Sequence, residues 1–62
     1  LFQDQLINSL SGIEENFEEI EESITLIMTL VQEAPKELEA CKQLYADGTN
    51  TINWVLHHLS PT

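Results

Sequence analysis

The chain has 62 residues, 42% of them hydrophobic, and a formal net charge of -9, because only Lys36 and Lys42 offset 11 acidic residues. This length permits one domain over residues 1-62, and a chain so small buries a low share of its surface, so its core is marginal. The apolar fraction is that of a folded protein rather than a disordered one. The negative charge excludes nucleic acid and anionic membranes as expected partners.

Domains of this size are usually stabilised by disulfides, by a structural metal or by association with other chains. Cys41 is the single cysteine, so no internal disulfide can form. The sequence contains no cluster of ligands with metal-site spacing, and we expect no cofactor. Association with a protein partner, or with further copies of the chain in a homo- or hetero-oligomer, is therefore the expected source of stability.

Two features indicate where the protein resides. The longest apolar run, "ITLIMTLV", is too short to span a bilayer. A single unpaired cysteine is more typical of a reducing compartment than of a secreted protein. We therefore expect an intracellular protein, cytoplasmic or nuclear. The absence of methionine at position 1 is consistent with a fragment or a processed product.

Apolar residues in the first half of the chain recur at alternating spacings of four and three, at positions 6, 10, 13, 17, 20, 24, 27 and 31. This is the heptad pattern, in which positions a and d of each repeat (abcdefg) share one face of a helix. Positions 10, 17, 24 and 31 are a, and positions 6, 13, 20 and 27 are d. The pattern predicts a helix over about residues 3-33 whose a and d side chains face a second helix.

Pro35 marks a corner, because proline disfavours helical backbone in the preceding residue and suits the first turn of a new helix. We expect a turn at residues 34-35 and a second helix over about residues 35-59. So short a connection joins antiparallel neighbours. The expected unit is a helical hairpin.

The segment "DGTN", residues 47-50, is a turn signal inside this second helix. The heptad spacing nevertheless continues through it, at positions 38, 41, 45, 48, 52, 55 and 59, with Gly48 at d. We interpret the segment as continuous helix in which Gly48 lies opposite Ile20 and Glu21 of the first helix, with Phe17 one turn away, so that the missing side chain accommodates a bulky neighbour. A break or kink at Gly48 is the alternative.

Six glutamates crowd positions 14 to 22, at heptad positions b, c, e and f. They form either a hydrated face that keeps an apolar helix dispersed in water or a docking site for a basic protein surface. A carboxylate metal site is disfavoured, because no glutamate has a histidine three residues later, as di-iron bundles require. The residues of this acidic face that we single out are Glu15, Glu18, Glu19 and Glu22.

Catalytic chemistry finds no support in the sequence. His57 and His58 are adjacent, so on a helix they point about 100° apart and cannot share one metal. We interpret them as rim histidines near a helix end, and Cys41, at d, as a small apolar residue beside the core rather than a reactive thiol. No nucleophile motif or phosphate-binding loop is present, so the chain is expected not to be an enzyme.

The predicted fold class is all-α: an antiparallel hairpin of two helices that associates, coiled-coil fashion, into a four-helix bundle. The predicted function is a non-catalytic protein-protein interaction or oligomerisation module of a larger intracellular assembly. The alternatives are an acidic inhibitor or antitoxin-like protein that binds a basic protein surface, and a carrier of an apolar ligand. The predicted interface residues are Phe17, Ile20, Ile24, Ile27, Met28, Val31, Leu38, Tyr45, Ile52, Trp54, Val55 and Leu59.

Trp54 has two interpretations, because it lies at heptad position c, away from the a and d positions of its own helix. An exposed tryptophan is a frequent interface anchor. Its ring could instead lie across Gly12 and Glu15 of the first helix.

Overall fold

The computed structural model describes residues 1-60 and confirms the helical hairpin. Helix α1 spans Phe2–Leu30 and helix α2 spans Lys36–Leu59, and no strand occurs in this range. The helices run antiparallel, since Gln3 at the start of α1 donates a side-chain hydrogen bond to the carbonyl oxygen of Leu59 at the end of α2. That bond satisfies a carbonyl that the helix end leaves without an intrahelical partner.

The connection between the helices is longer than expected and begins earlier. Helix α1 ends at Leu30 rather than near residue 33, and Val31 is already extended, with φ -109° and ψ 146°. Residues 31-35 complete the reversal, and Pro35, also extended, accepts hydrogen bonds from the backbone N–H groups of Leu38 and Glu39 at 3.1 and 3.3 Å. Proline favours extended backbone only in the residue before it, so the early end of α1 at Leu30 is not a consequence of Pro35 alone.

Helix α2 is continuous through residues 47-50, so a break at Gly48 does not occur. Gly48 has a negative φ, like the other described residues, and no left-handed turn forms there. The hydroxyls of Thr49 and Thr51 donate to the carbonyl oxygens of Tyr45 and Asp47, both at 3.0 Å, as threonines inside a helix can do. Packing against α1 therefore overrides the local turn preference.

The contact between the helices is centred on an aromatic pair and a glycine. The rings of Phe17 and Tyr45 meet edge to face, with centroids 5.1 Å apart and planes at 86°. A Cβ atom on Gly48 would lie 2.7 Å from Cε2 of Phe17, so the ring occupies the space a side chain would need. The prediction that Gly48 accommodates a bulky neighbour is confirmed, but that neighbour is Phe17, rather than Ile20 and Glu21, which were expected opposite it.

The face of α1 that covers α2 differs from the expected one. The a residues of α1 up to Ile24 are half-buried or buried, and Ile24, at 7% exposure, is the one buried apolar residue described. The e residues Ile7, Glu14, Glu21 and Met28 are half-buried, whereas the four d residues are exposed. The expectation that a and d together face α2 therefore holds only in part for d, whose side chains are 37% to 48% exposed, and α1 is turned toward its e side, with Phe17 seated against Gly48.

Candidate protein-interaction surface

One side of α1 is incompletely covered by α2. It consists of the d residues together with the g residues beside them, since d and g are adjacent columns on a helix of 3.6 residues per turn. All nine residues are exposed. We call this surface the uncovered strip, and its members are Leu6, Ile13, Ile20 and Ile27 at d, and Phe2, Ser9, Asn16, Ser23 and Leu30 at g.

The uncovered strip is apolar along d and at both ends of g. The d side chains are 37% to 48% exposed, although Leu and Ile are among the residues most often found inside proteins. Phe2 and Leu30, which close the g column at either end of the helix, are 80% and 85% exposed. Covering a row of this kind with another protein lowers the free energy, because apolar surface is removed from water.

The strip carries no charge, although α1 contains seven acidic residues. Six of these, Asp4 and five glutamates, occupy b, e and f on the other side of the helix, and only Glu19, at c, lies next to the g column. The Oγ atom of Ser23 donates to the carbonyl oxygen of Glu19 at 2.9 Å, so this hydroxyl can be covered without losing its partner. The strip itself therefore contains no charged side chain, and Glu19 is the one acid of α1 beside it.

The residues predicted as interface fall into two groups. Eight lie between the two helices, buried or half-buried: Phe17, Ile24, Met28, Leu38, Tyr45, Ile52, Val55 and Leu59. Four are exposed: Ile20, Ile27, Val31 and Trp54. The first group therefore contributes to the hairpin core, although its half-buried members keep part of their surface accessible, and the second group is more open to a further chain.

Trp54 does not lie across α1. Its side chain is 63% exposed and stacks instead on the ring of His58 on its own helix, with centroids 4.0 Å apart and planes tilted by 36°. The backbone carbonyl oxygen of Trp54 accepts a hydrogen bond from Nδ1 of His58 at 2.9 Å. The aromatic surface is thus held in place and open to solvent.

The acidic face is also open. Glu15, Glu18, Glu19 and Glu22 are exposed, and the only ion pair within residues 1-60 joins the amino group of Leu1 to Asp4, at 3.9 Å. Glu14 differs from them, because its carboxylate accepts a hydrogen bond from Nδ2 of Asn53 on α2 at 3.3 Å. The four exposed carboxylates are therefore free to meet a basic partner or water.

The remaining candidates of the sequence do not combine into a site. Cys41, expected beside the core, is exposed, and the rings of His57 and His58 are exposed and 6.1 Å apart. Over the described range, no group of three or more His, Cys, Asp or Glu residues is placed to hold a metal ion. Neither α1 nor α2, as far as the structure describes the chain, has the length and apolar character needed to cross a bilayer.

The structure thus defines a two-helix antiparallel hairpin with an exposed apolar strip. A scan against protein-family models, a search of curated proteins and a search of solved structures each found no match to this chain. The surfaces just described are therefore the basis for inferring its function.

The interface residues predicted from the sequence omit the N-terminal half of the strip, which includes Phe2, Leu6 and Ile13. The predicted interface included the d residues Ile20 and Ile27 but none nearer the N-terminus. A signal was nevertheless present, because the g column of α1 contains no charged residue over its whole length. Solvent-facing helix columns in an acidic protein normally carry charge, so an uncharged one indicates a second contact.

Proposed function

We propose that this chain is a non-catalytic interaction module that completes its hydrophobic core only by associating with other helices, as half of a four-helix bundle. The uncovered strip is the surface that makes this association. The observation that carries the proposal is that the d column of α1 is exposed, while only one apolar side chain among the described residues of the hairpin is buried.

The dimensions of the hairpin support the same conclusion. Its accessible surface is 4983 Å², whereas a compact monomer of 7.1 kDa exposes about 4,100 Å². Its Cα radius of gyration is 14.4 Å, against about 10.6 Å for a compact domain of 62 residues. A rod measuring 48 × 16 × 14 Å is only two helices thick, and two helices bury one side of each.

The exposed apolar residues are unequally divided between the helices, which indicates where a partner would bind. Helix α2 contains two large ones, Leu44 and Trp54. Leu1, at the cap of α1, Val31, just after it, and seven residues within α1 make up the rest. The first partner contact is therefore assigned to α1.

The solution mass of the intact chain, measured by sedimentation equilibrium over a wide dilution series, tests the proposal. Circular dichroism melts at each concentration accompany it. We expect a mass above the 7.1 kDa monomer with a melting temperature that rises with concentration, or else a monomer with little helix that needs another chain to fold. A fully helical monomer that melts cooperatively at a concentration-independent temperature would contradict the proposal.

A second candidate function is an acidic inhibitor or antitoxin-like protein that covers a basic protein surface. The observation that favours it is the set of four exposed carboxylates, none of which pairs with a cation within the described residues. A surface of one sign accelerates association with an opposite surface and makes the rate depend strongly on salt.

Changing the four glutamates to glutamine separates the two functions. An interaction module that uses the uncovered strip keeps its solution mass, because the glutamates lie outside d and g. An inhibitor that uses the acidic face associates more slowly with its basic partner and loses the salt dependence of the rate. The substitutions are Glu15→Gln, Glu18→Gln, Glu19→Gln and Glu22→Gln together.

A further inference from the structure

The g column of the uncovered strip has the same order of side-chain types whether it is followed from the N-terminal or from the C-terminal end of α1. Large apolar residues, Phe2 and Leu30, lie at its ends, serines lie at positions 9 and 23, and Asn16 lies at the centre. A two-fold interface places one patch against a copy of itself, so a strip that reads alike in both directions is suited to antiparallel self-pairing. The centre of symmetry of this column is Asn16.

The d column has the same symmetry. Leu6 and Ile27 are its outer members, and Ile13 and Ile20 its inner ones. Its midpoint lies between residues 16 and 17, within half a residue of the centre of the g column. Two α1 helices that pair antiparallel about this point bring branched aliphatic side chains against one another along the whole strip.

The d residues of α2 show the same symmetry, and their centre lies at the same level along the hairpin. These residues are Cys41, Gly48 and Val55, so small or medium side chains flank a central glycine. Gly48 lies level with Phe17, because the ring of Phe17 fills the space of the missing Cβ atom. One two-fold axis can therefore pass between two α1 helices at Asn16 and between two α2 helices at Gly48.

The surface area fits one additional copy. One hairpin exposes 4983 Å², so two separate copies expose about 10,000 Å², whereas a compact body of twice the mass exposes about 6,800 Å². A compact dimer would therefore bury about 1,600 Å² per copy, which is in the range of obligate homodimer interfaces. The net charge of -9 does not prevent self-pairing, because six of the seven acids of α1 lie outside c, d and g. A charge-free strip also gives no electrostatic reason to select a basic partner instead.

From these observations we infer that the uncovered strip binds a second copy of this chain, antiparallel, about a two-fold axis at the level of Asn16 and Gly48. The inference rests on the proposed function and names its partner. The two hairpins then form a four-helix bundle in which α1 packs on α1 and α2 on α2. Asn16 of one copy meets Asn16 of the other, where a polar pair can set the register.

Disulfide trapping tests the arrangement, because a disulfide forms only between Cα atoms about 4.4–6.8 Å apart. Each variant is built in a Cys41→Ser chain, kept dilute in a glutathione redox buffer, and scored on a non-reducing gel. We expect Asn16→Cys to give a covalent dimer, since the two copies of this position meet at the axis.

The serines at the same heptad position are matched controls. Seven residues from the axis, two copies of Ser9→Cys lie about 21 Å apart along the helix, so neither Ser9→Cys nor Ser23→Cys should cross-link alone. An equimolar mixture of these two variants should cross-link, because Ser9 of one copy faces Ser23 of the other. Circular dichroism checks that each variant keeps its helix content.

A second arm tests the α2 side of the axis with the native cysteine retained. Val55→Cys should cross-link through Cys41 of the other copy, since these positions lie symmetrically about Gly48. The unsubstituted chain, whose two Cys41 residues lie about 21 Å apart along the axis, should stay uncrosslinked. A disulfide within one chain is excluded, because Cys41 and Val55 lie equally far apart on the same helix.

The outcomes separate this inference from the proposed function. Cross-linking of Ser9→Cys and of Ser23→Cys alone would indicate parallel pairing and overturn the inference. A dimeric mass without cross-linking of Asn16→Cys would also overturn it, while leaving association intact. A stable, fully helical monomer would overturn both.

Discussion

Helix α1 has a packed face, made of its a and e residues, and the uncovered strip, made of its d and g residues. The two have similar aliphatic content, but α2 covers the packed face and leaves the strip exposed. The packed face has charged residues at its edge, Glu14 and Glu21, and is nevertheless covered by α2. The strip has no charged residue and is exposed. Hydrophobicity alone therefore does not decide which side of a heptad stripe its hairpin partner covers. The fit of Phe17 against Gly48 does, and it leaves the less polar side for another contact.

The largest expected effect is on the packed face, at its most deeply buried residue. Ile24→Ala removes the only apolar side chain below a tenth exposed in the described range and should lower the free energy of unfolding by about 2–5 kcal/mol. In so small a domain this loss abolishes cooperative melting. Leu26→Ala, an exposed residue on the same helix, is the control and should change stability by about 0.5 kcal/mol or less. Equal losses would contradict the comparison.

The second largest effect tests the close contact between Gly48 and Phe17, which accompanies the rotation of α1 toward its e side. Gly48→Ala places a Cβ atom 2.7 Å from a carbon of the Phe17 ring and should destabilise the chain by about 1–3 kcal/mol, despite the better helix propensity of alanine. Adding Phe17→Leu should restore part of this loss, because the shorter side chain vacates the space. The measurement is a double-mutant cycle of chemical denaturation. Additive effects of the two substitutions would rule out the steric account.

Gly12 is the control for Gly48. It lies at heptad position c, the column next to the g column of the uncovered strip. A Cβ atom there meets nothing within 4 Å, so Gly12→Ala should raise stability by about 0.5–1 kcal/mol through helix propensity alone. The melting temperature of the full chain reports the change. Opposite signs for Gly12→Ala and Gly48→Ala are expected, and a loss at Gly12 would show that this flank is also closely packed.

The smallest effect concerns the acidic face. Glu18 lies four residues from both Glu14 and Glu22, and like charges at this spacing destabilise a helix by about 0.2–0.5 kcal/mol per pair. Glu18→Gln should therefore raise stability by about 0.5 kcal/mol in low salt. High salt screens exposed charges, so the gain should disappear there. A gain that persists in high salt would point to a cause other than charge repulsion.

Much of the hairpin was predictable because its signals are local or periodic. The spacing of four and three predicts α1, and Pro35 predicts the reversal near its observed place. The unbroken spacing through residues 47-50 correctly outweighed the turn signal at Asp47 and Gly48. The predicted length of the connection was wrong by a few residues, because antiparallel helices are joined by loops of about two to five residues and a proline does not fix which of these lengths forms.

By itself, the amino-acid sequence determined the two helices and the separation of charge from the apolar stripe, since both follow from the 3.6-residue period of the helix. It also determined the antiparallel order of the helices, since the connection at Pro35 is short. Only the tertiary structure decided which flank of that stripe α2 covers. That choice depends on how the Phe17 ring fits beside a glycine more than thirty residues away along the chain. Each helix of a hairpin has one neighbouring helix, which covers one flank of its apolar stripe. The other flank of the stripe of α1 stays exposed as the uncovered strip.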